Sequence, residues 1–144
     1  MKKIQDLLER LVGVDTYDVT NLVTSSTLNI TSAKLRVSGL VAEFSLTGTT
    51  KNAVSEDSTL TLANINESIR PNGNALLTMG TDGYGHITTS DGNVYGRAGR
   101  SLGKGSTTYV FSTYLLKHPF MGGVLQRSIL KAFSHFLVCE EVVV

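Results

Sequence analysis

Leu76 to Leu116 reads LLTMGTDGYGHITTSDGNVYGRAGRSLGKGSTTYVFSTYLL, and it holds the strongest strand and turn signals in the chain. At its centre are His86-Ile87-Thr88-Thr89, then Ser90-Asp91-Gly92-Asn93, then Val94-Tyr95. Asp-Gly between β-branched and aromatic flanks predicts a hairpin, with a type I′ turn taking positive φ at both central residues. Asp tolerates that conformation, and Gly adopts it without steric cost. Farther on, Thr107 to Leu116 alternates. Tyr109, Phe111, Thr113 and Leu115 fall on one face; Val110, Ser112, Tyr114 and Leu116 fall on the other. Both faces are partly apolar, so one is expected on a core and the other on a second surface such as a neighbouring subunit.

Upstream, the same period-two pattern recurs. Thr27 to Val37 places Thr27, Asn29, Thr31, Ala33, Leu35 and Val37 on one face. After Ser38-Gly39 the apolar phase flips, and Leu40, Ala42, Phe44 and Leu46 share a face, as across a tight hairpin. Thr47 to Asp57 is polar and reads as an exposed loop. Ser58 to Ile65 is a further strand with Leu60 and Leu62 inward. Pro71-Asn72-Gly73 is a turn, Ala75, Leu77 and Met79 alternate, and Gly80-Thr81-Asp82-Gly83 turns the chain again. Arg97 to Ser106 is a Gly-rich basic loop. Short strands joined by such turns predict a mainly β fold, an antiparallel sandwich or jelly roll, over residues 23–116.

The ends read differently. Ile4, Leu7, Leu8 and Leu11 form one helical stripe, stopped near Gly13. So short a helix must dock on its own domain or bundle with copies of itself. Asp15 to Asn21 reads as a connection, so residues 1–22 are a helix and its link. In the last segment, 117–144, Leu125, Ile129, Phe133 and Phe136 take helical spacing opposite Arg127, Ser128, Lys131 and Ser134. An amphipathic helix over Gly123 to Leu137 is expected, either native to the domain or joined to it from elsewhere.

Composition narrows the function. A chain of 144 residues is expected to be one domain that buries a real core. Thirteen basic and 12 acidic residues give a net charge of +1, which offers no electrostatic footprint for nucleic acid. Charged residues make up 17%, against the usual value of about 25%. Low charge with abundant Thr, Ser, Asn and Gly is common among β-rich surface and particle proteins. Trp is absent, so any sugar stacking falls to Tyr. The single cysteine, Cys139, permits no intrachain disulfide and no cysteine-based zinc site, and reads as a small buried hydrophobe. No apolar run reaches the roughly 20 residues of a membrane span. Met1-Lys2-Lys3 starts like an export signal, but Gln5, Asp6, Glu9 and Arg10 interrupt it, so synthesis in a cytosol is expected.

Catalytic signals are weak. Gly80, Gly83 and Gly85 lack dinucleotide-fingerprint spacing and read as turn glycines. Gly99, Gly103 and Gly105 with Lys104 miss the P-loop pattern. His86, His118 and His135 lie in different elements, and there is no Gly-x-Ser-x-Gly elbow. Glu56-Asp57 and Glu140-Glu141 read as solvated acids. The sequons at Asn29 and Asn66 have no meaning without export. No enzyme, cofactor or metal is expected.

In order, the chain shows an amphipathic helix, the hairpin around Lys34-Leu35-Arg36-Val37-Ser38-Gly39-Leu40-Val41, a Pro71 turn, Gly85-His86-Ile87 before Asp91-Gly92, and a closing strand with Tyr109-Val110-Phe111. This series resembles the head domains of receptor-binding and baseplate proteins in tailed bacteriophages of Gram-positive bacteria. The resemblance covers roughly Thr20 to Leu116. It implies a homotrimer whose head binds a host cell-wall saccharide, alongside other virion tail proteins in the tail or baseplate. The short front segment and the tail after Lys117 depart from that pattern.

A saccharide site needs an apolar face for stacking and fixed polar groups for hydroxyls. Asp82, Tyr84 and His86, at i and i+2 spacing, are expected to project together. Asn93 and Tyr95 face them across the Asp91-Gly92 turn. Arg97 and Arg100 supply donors to hydroxyls or to a phosphate of teichoic-acid-like polymers. The alternative is that Tyr84 and Tyr95 merely pack, with hydroxyls at the surface. Three other classes stay open: a structural virion protein without ligand, a cellular lectin-like or cytokine-like jelly roll, and a hydrolase.

Overall fold

In a computed structural model, Ile4 and residues 14–120 are described. The expected helices over 4–11 and 123–137 fall largely or wholly outside those residues. The described chain is almost entirely antiparallel β-structure. Its strands are β1 (Val14–Asp18), β2 (Val23–Thr24), β3 (Leu28–Ser38), β4 (Val41–Thr50), β5 (Thr59–Ile65), β6 (Ala75–Thr78), β7 (Gly83–Ile87), β8 (Asn93–Ala98) and β9 (Thr107–Leu115). They form one sheet in the order β1-β3-β4-β9-β6-β7-β8-β5-β2.

That order forces the sheet to curl. The strands at its two edges, β1 and β2, are consecutive in the chain. Nine strands laid flat would hold the edges about 38 Å apart. The link from Asp18 to Val23 can reach at most about 18 Å. The sheet therefore rolls into a sandwich-like shell with one apolar interior. Leu35, Phe44, Leu46, Leu62, Ile65, Met79, Ile87, Val94 and Val110 fill it. Tyr114 closes one side: its hydroxyl donates to the Ile69 carbonyl at 2.6 Å, and burial pushes its pKa up.

The turns follow from local chemistry. At the β3–β4 hairpin Ser38 opposes Val41, and Gly39 takes φ +62°. Positive φ at the first loop residue alone is the type II′ pattern, and it produces the phase flip. Ala33, Leu35 and Val37 are buried with Ala42, Phe44 and Leu46. Leu40, at the loop tip, is exposed instead.

Several sequence expectations change. A bulge between Ile30 and Ser32 shifts the phase of β3, so Leu28 points inward while Thr27, Asn29 and Thr31 do not share the buried face of Ala33, Leu35 and Val37. A second bulge, between Thr61 and Ala63, turns Ala63 inward beside Leu62. β4 continues to Thr50 because its alternating Thr and Gly residues still pair with β9, so the polar loop starts later than its composition suggests. Val14–Asp18, expected largely as a connection, is an edge strand that pairs with β3. Residues past Lys117 reach back to the sheet: Phe120 is buried and meets Tyr17 edge-on at 5.1 Å.

The Asp91-Gly92 turn forms, but not as a two-residue type I′ loop. Gly92 has φ +73°, whereas Asp91 does not take positive φ. The loop runs Thr88 to Asn93, closed by Gly92 N–H on the Thr88 carbonyl and Thr88 N–H on the Asn93 carbonyl, both at 3.0 Å. The Asp91 carboxylate accepts from the Thr88 hydroxyl and the Asn93 N–H, which holds its pKa below the usual carboxylate value.

Candidate functional site

The β7–β8 ribbon carries an outward-facing groove. Tyr84 opposes Arg97 and His86 opposes Tyr95 in the register, so all four project from the same face. The His86 and Tyr95 rings lie 5.1 Å apart, tilted by 39°. From β6, Leu76 opposes His86 and is 83% exposed. Together with Thr59 of β5 they line a depression of about 270 Å³. Its floor is backbone, at Gly85 opposite Gly96.

Those glycines are required by close packing rather than by turns. A Cβ on Gly85 would lie 1.8 Å from the Tyr95 carbonyl oxygen, and one on Gly96 would lie 2.5 Å from a Leu62 methyl. Of the three glycines read as turn residues, only Gly80 has positive φ, +61°. Gly83 and Gly85 belong to β7, where the neighbouring backbone leaves no space for a side chain.

The seven candidate residues separate into two groups. Tyr84, His86, Tyr95 and Arg97 come together, and Asn93 joins them by donating from Nδ2 to the Tyr95 hydroxyl at 3.1 Å. Asp82 and Arg100 stand apart. Asp82 sits in the turn between β6 and β7, where its N–H bonds the Met79 carbonyl at 3.0 Å. Its carboxylate is buried and accepts from Arg100 Nε at 2.7 Å. Asp82 does not project with Tyr84 at i, i+2 as expected, because β7 begins only at Gly83 and Asp82 lies before its extended backbone. Arg97, expected in a loop, lies on β8 and makes a 3.5 Å ion pair with Asp57. Both partners are about half exposed or more, so that pair contributes little and leaves other guanidinium donors free for a ligand.

Leu76 and Thr59 also belong to this groove, and nothing in their local sequence marks them. They enter only through the pairing of β6 with β7 and of β5 with β8, which no local signal encodes. His118 is exposed just past the end of β9, and His135 lies outside the described residues. Among the described residues, no cluster of three or more His, Cys, Asp or Glu side chains is placed to hold a metal ion. No helix among them is long and apolar enough to cross a membrane.

The groove is part of a broader apolar strip. Phe111 opposes Thr78, which opposes Tyr84, so one cross-strand row runs from β9 to β8. Tyr109 and Phe111 are 58% and 47% exposed. Leu115, opposite Val41, is exposed as well. Isolated exposed apolar residues are ordinary, but a contiguous patch marks a contact surface.

No protein-family model and no curated protein matches the chain. Among solved structures, the chain is similar to the fiber head domain of the Atadenovirus snake adenovirus 1. The identity is 13% and the TM-score 0.35, over 69% of this chain and 93% of that one.

Proposed function

We propose that this chain is a receptor-binding head of a phage tail or baseplate, which attaches a virion to a saccharide on a host cell surface. The observation that carries the proposal is the groove itself. Tyr84, His86 and Tyr95 present ring surface beside a bare backbone floor, with Arg97 and Asn93 at its margin. Sugar rings combine apolar C–H faces with hydroxyls, and such a surface meets both needs. The order of sequence motifs supports the virion setting. The activity is binding rather than catalysis.

The strip formed by Tyr109, Phe111 and Leu115 is the surface that neighbouring subunits cover in a homotrimer. The groove lies along the same sheet face, so trimer formation would leave it at the rim of the subunit contact.

The test is retention on purified Gram-positive cell walls. Wild type should bind, and Tyr84→Ala and Tyr95→Ala should each bind about tenfold less while staying folded. Asp82→Ala, removed from the groove, should retain binding if folded. Failure of wild type to bind, or equal binding by folded Tyr84→Ala and Tyr95→Ala, would overturn the proposal.

A further inference from the structure

A second groove adjoins the first. It is larger, about 400 Å³, and lies against β2, β5 and β8. Thr24, Ser25, Ser26, Thr61, Asn64 and Asn93 line most of it. No ionisable side chain contributes to its wall. The two grooves meet at Tyr95. Thr61 of the second groove opposes Tyr95 of the first, and Asn93 of the second donates to the Tyr95 hydroxyl.

The polar groups here are held in place by the fold. Asn64 Nδ2 donates to the Asp91 carbonyl at 2.8 Å and to Asn93 Oδ1 at 2.9 Å. Asn93 Nδ2 in turn donates to the Tyr95 hydroxyl. This chain fixes both carboxamides and the ring. It leaves the Tyr95 hydroxyl proton and Asn64 Oδ1 with no protein partner among the described residues. Ser25 is fixed too, since its hydroxyl donates to the Leu62 carbonyl at 2.6 Å. Thr24, Ser26 and Thr61 belong to the groove wall, and their hydroxyls make no hydrogen bond to the described protein.

We infer that the two grooves form one extended binding surface for a neutral polyhydroxylated chain, with Tyr95 between two consecutive units. One unit lies on the rings of Tyr84, His86 and Tyr95. The next lies among the hydroxyls and carboxamides of Ser26, Thr61, Asn64 and Asn93. This rests on the saccharide-binding reading above and specifies its ligand. Fixed donors and acceptors without charge suit hydroxyls, because they exchange hydrogen bonds with water for equivalent ones. No cation lines this groove to offset the desolvation of a phosphate or carboxylate, and the ammonium beside it, Lys51 Nζ, donates to the Ser25 carbonyl at 3.5 Å. The second groove therefore selects a neutral polymer over an anionic one.

The probes are the neutral polysaccharide released from Gram-positive cell walls, the disaccharide and monosaccharide obtained from it by hydrolysis, and the anionic teichoic-acid fraction of the same walls. Affinities are measured for wild type and for Ser26→Leu and Thr24→Leu. Both substitutions fall on exposed side chains, so folding is preserved. Wild type should bind the disaccharide about tenfold more tightly than the monosaccharide. The variants should lose that gain while binding the monosaccharide as wild type does. Equal affinity of wild type for disaccharide and monosaccharide, or variants that match wild type on the disaccharide, would overturn the inference and leave the saccharide reading standing. Preference for the teichoic-acid fraction would overturn it as well. Absence of binding to every wall fraction would defeat both.

Discussion

The His86 and Tyr95 rings face each other across β7 and β8 at 5.1 Å, on a floor where Gly85 opposes Gly96. Neither glycine has room for a side chain: a Cβ on Gly85 would meet the Tyr95 carbonyl oxygen of β8, and one on Gly96 would meet Leu62 and Met79 in the core. His86 and Tyr95 stand on the outer face as direct register partners, at ordinary cross-strand spacing. Glycine content that reads as turns in the sequence is spent here on shaping a surface.

Gly92 should resist substitution. Its φ is +73°, and an added Cβ would come within 2.4 Å of the Ile65 carbonyl oxygen and 2.5 Å of Arg70 Nε. Gly92→Val should lower stability by more than about 1 kcal/mol. A denaturation midpoint within error of wild type would contradict this.

Asp91 should make the hairpin sensitive to acid. Hydrogen bonds from Thr88 and Asn93 lower its folded pKa below the unfolded value. The stability it supplies is therefore complete above the unfolded pKa and is lost as pH falls through the folded one. Wild type should lose more stability than Asp91→Asn on acidification below the ordinary carboxylate range. Identical pH profiles for the two would contradict the assignment.

Arg100 should matter for folding and not for binding. Arg100→Ala leaves the buried Asp82 carboxylate without its cation, and should cost about 1–2 kcal/mol given that Arg100 itself is well exposed. Asp82→Asn should be milder, since it removes the stranded charge. Thermal melts of the two variants, with cell-wall retention measured alongside, check both points.

The exposed strip on β9 should hold subunits together. Tyr109→Lys with Phe111→Lys changes outward side chains only, so the fold should survive. Wild type should sediment as a trimer and the double variant as a monomer. An unchanged sedimentation mass would place the contact elsewhere.

Much of the fold was legible because it depends on period-two patterning and turn residues. The alternation through Tyr109, Val110 and Phe111 identified both faces of β9, and Gly39 marked the first hairpin. Four features were hidden. β1 lacks an apolar run because, as an edge strand, it leaves Val14 to Thr16 and Asp18 exposed. The bulges at Ile30/Ser32 and Thr61/Ala63 shift phase without a Gly or Pro to announce them. Asp82 looked like a neighbour of Tyr84 because i, i+2 spacing holds only within a strand, and the strand starts one residue later. The second groove escaped notice entirely, since it joins Ser26 to Asn93 through non-local pairing.

The claim that the outer face of β7 and β8 is the saccharide-binding surface is tested most directly by amide chemical-shift mapping. Isotope-labelled protein is titrated with neutral polysaccharide fragments from Gram-positive cell walls. The account predicts saturable shifts concentrated at Tyr84, Gly85, His86, Tyr95, Gly96 and Arg97, absent in Tyr95→Ala. Saturable shifts confined to other surfaces, such as the loops at Lys51–Ser58 or Gly99–Ser106, or no shifts at all, would contradict it.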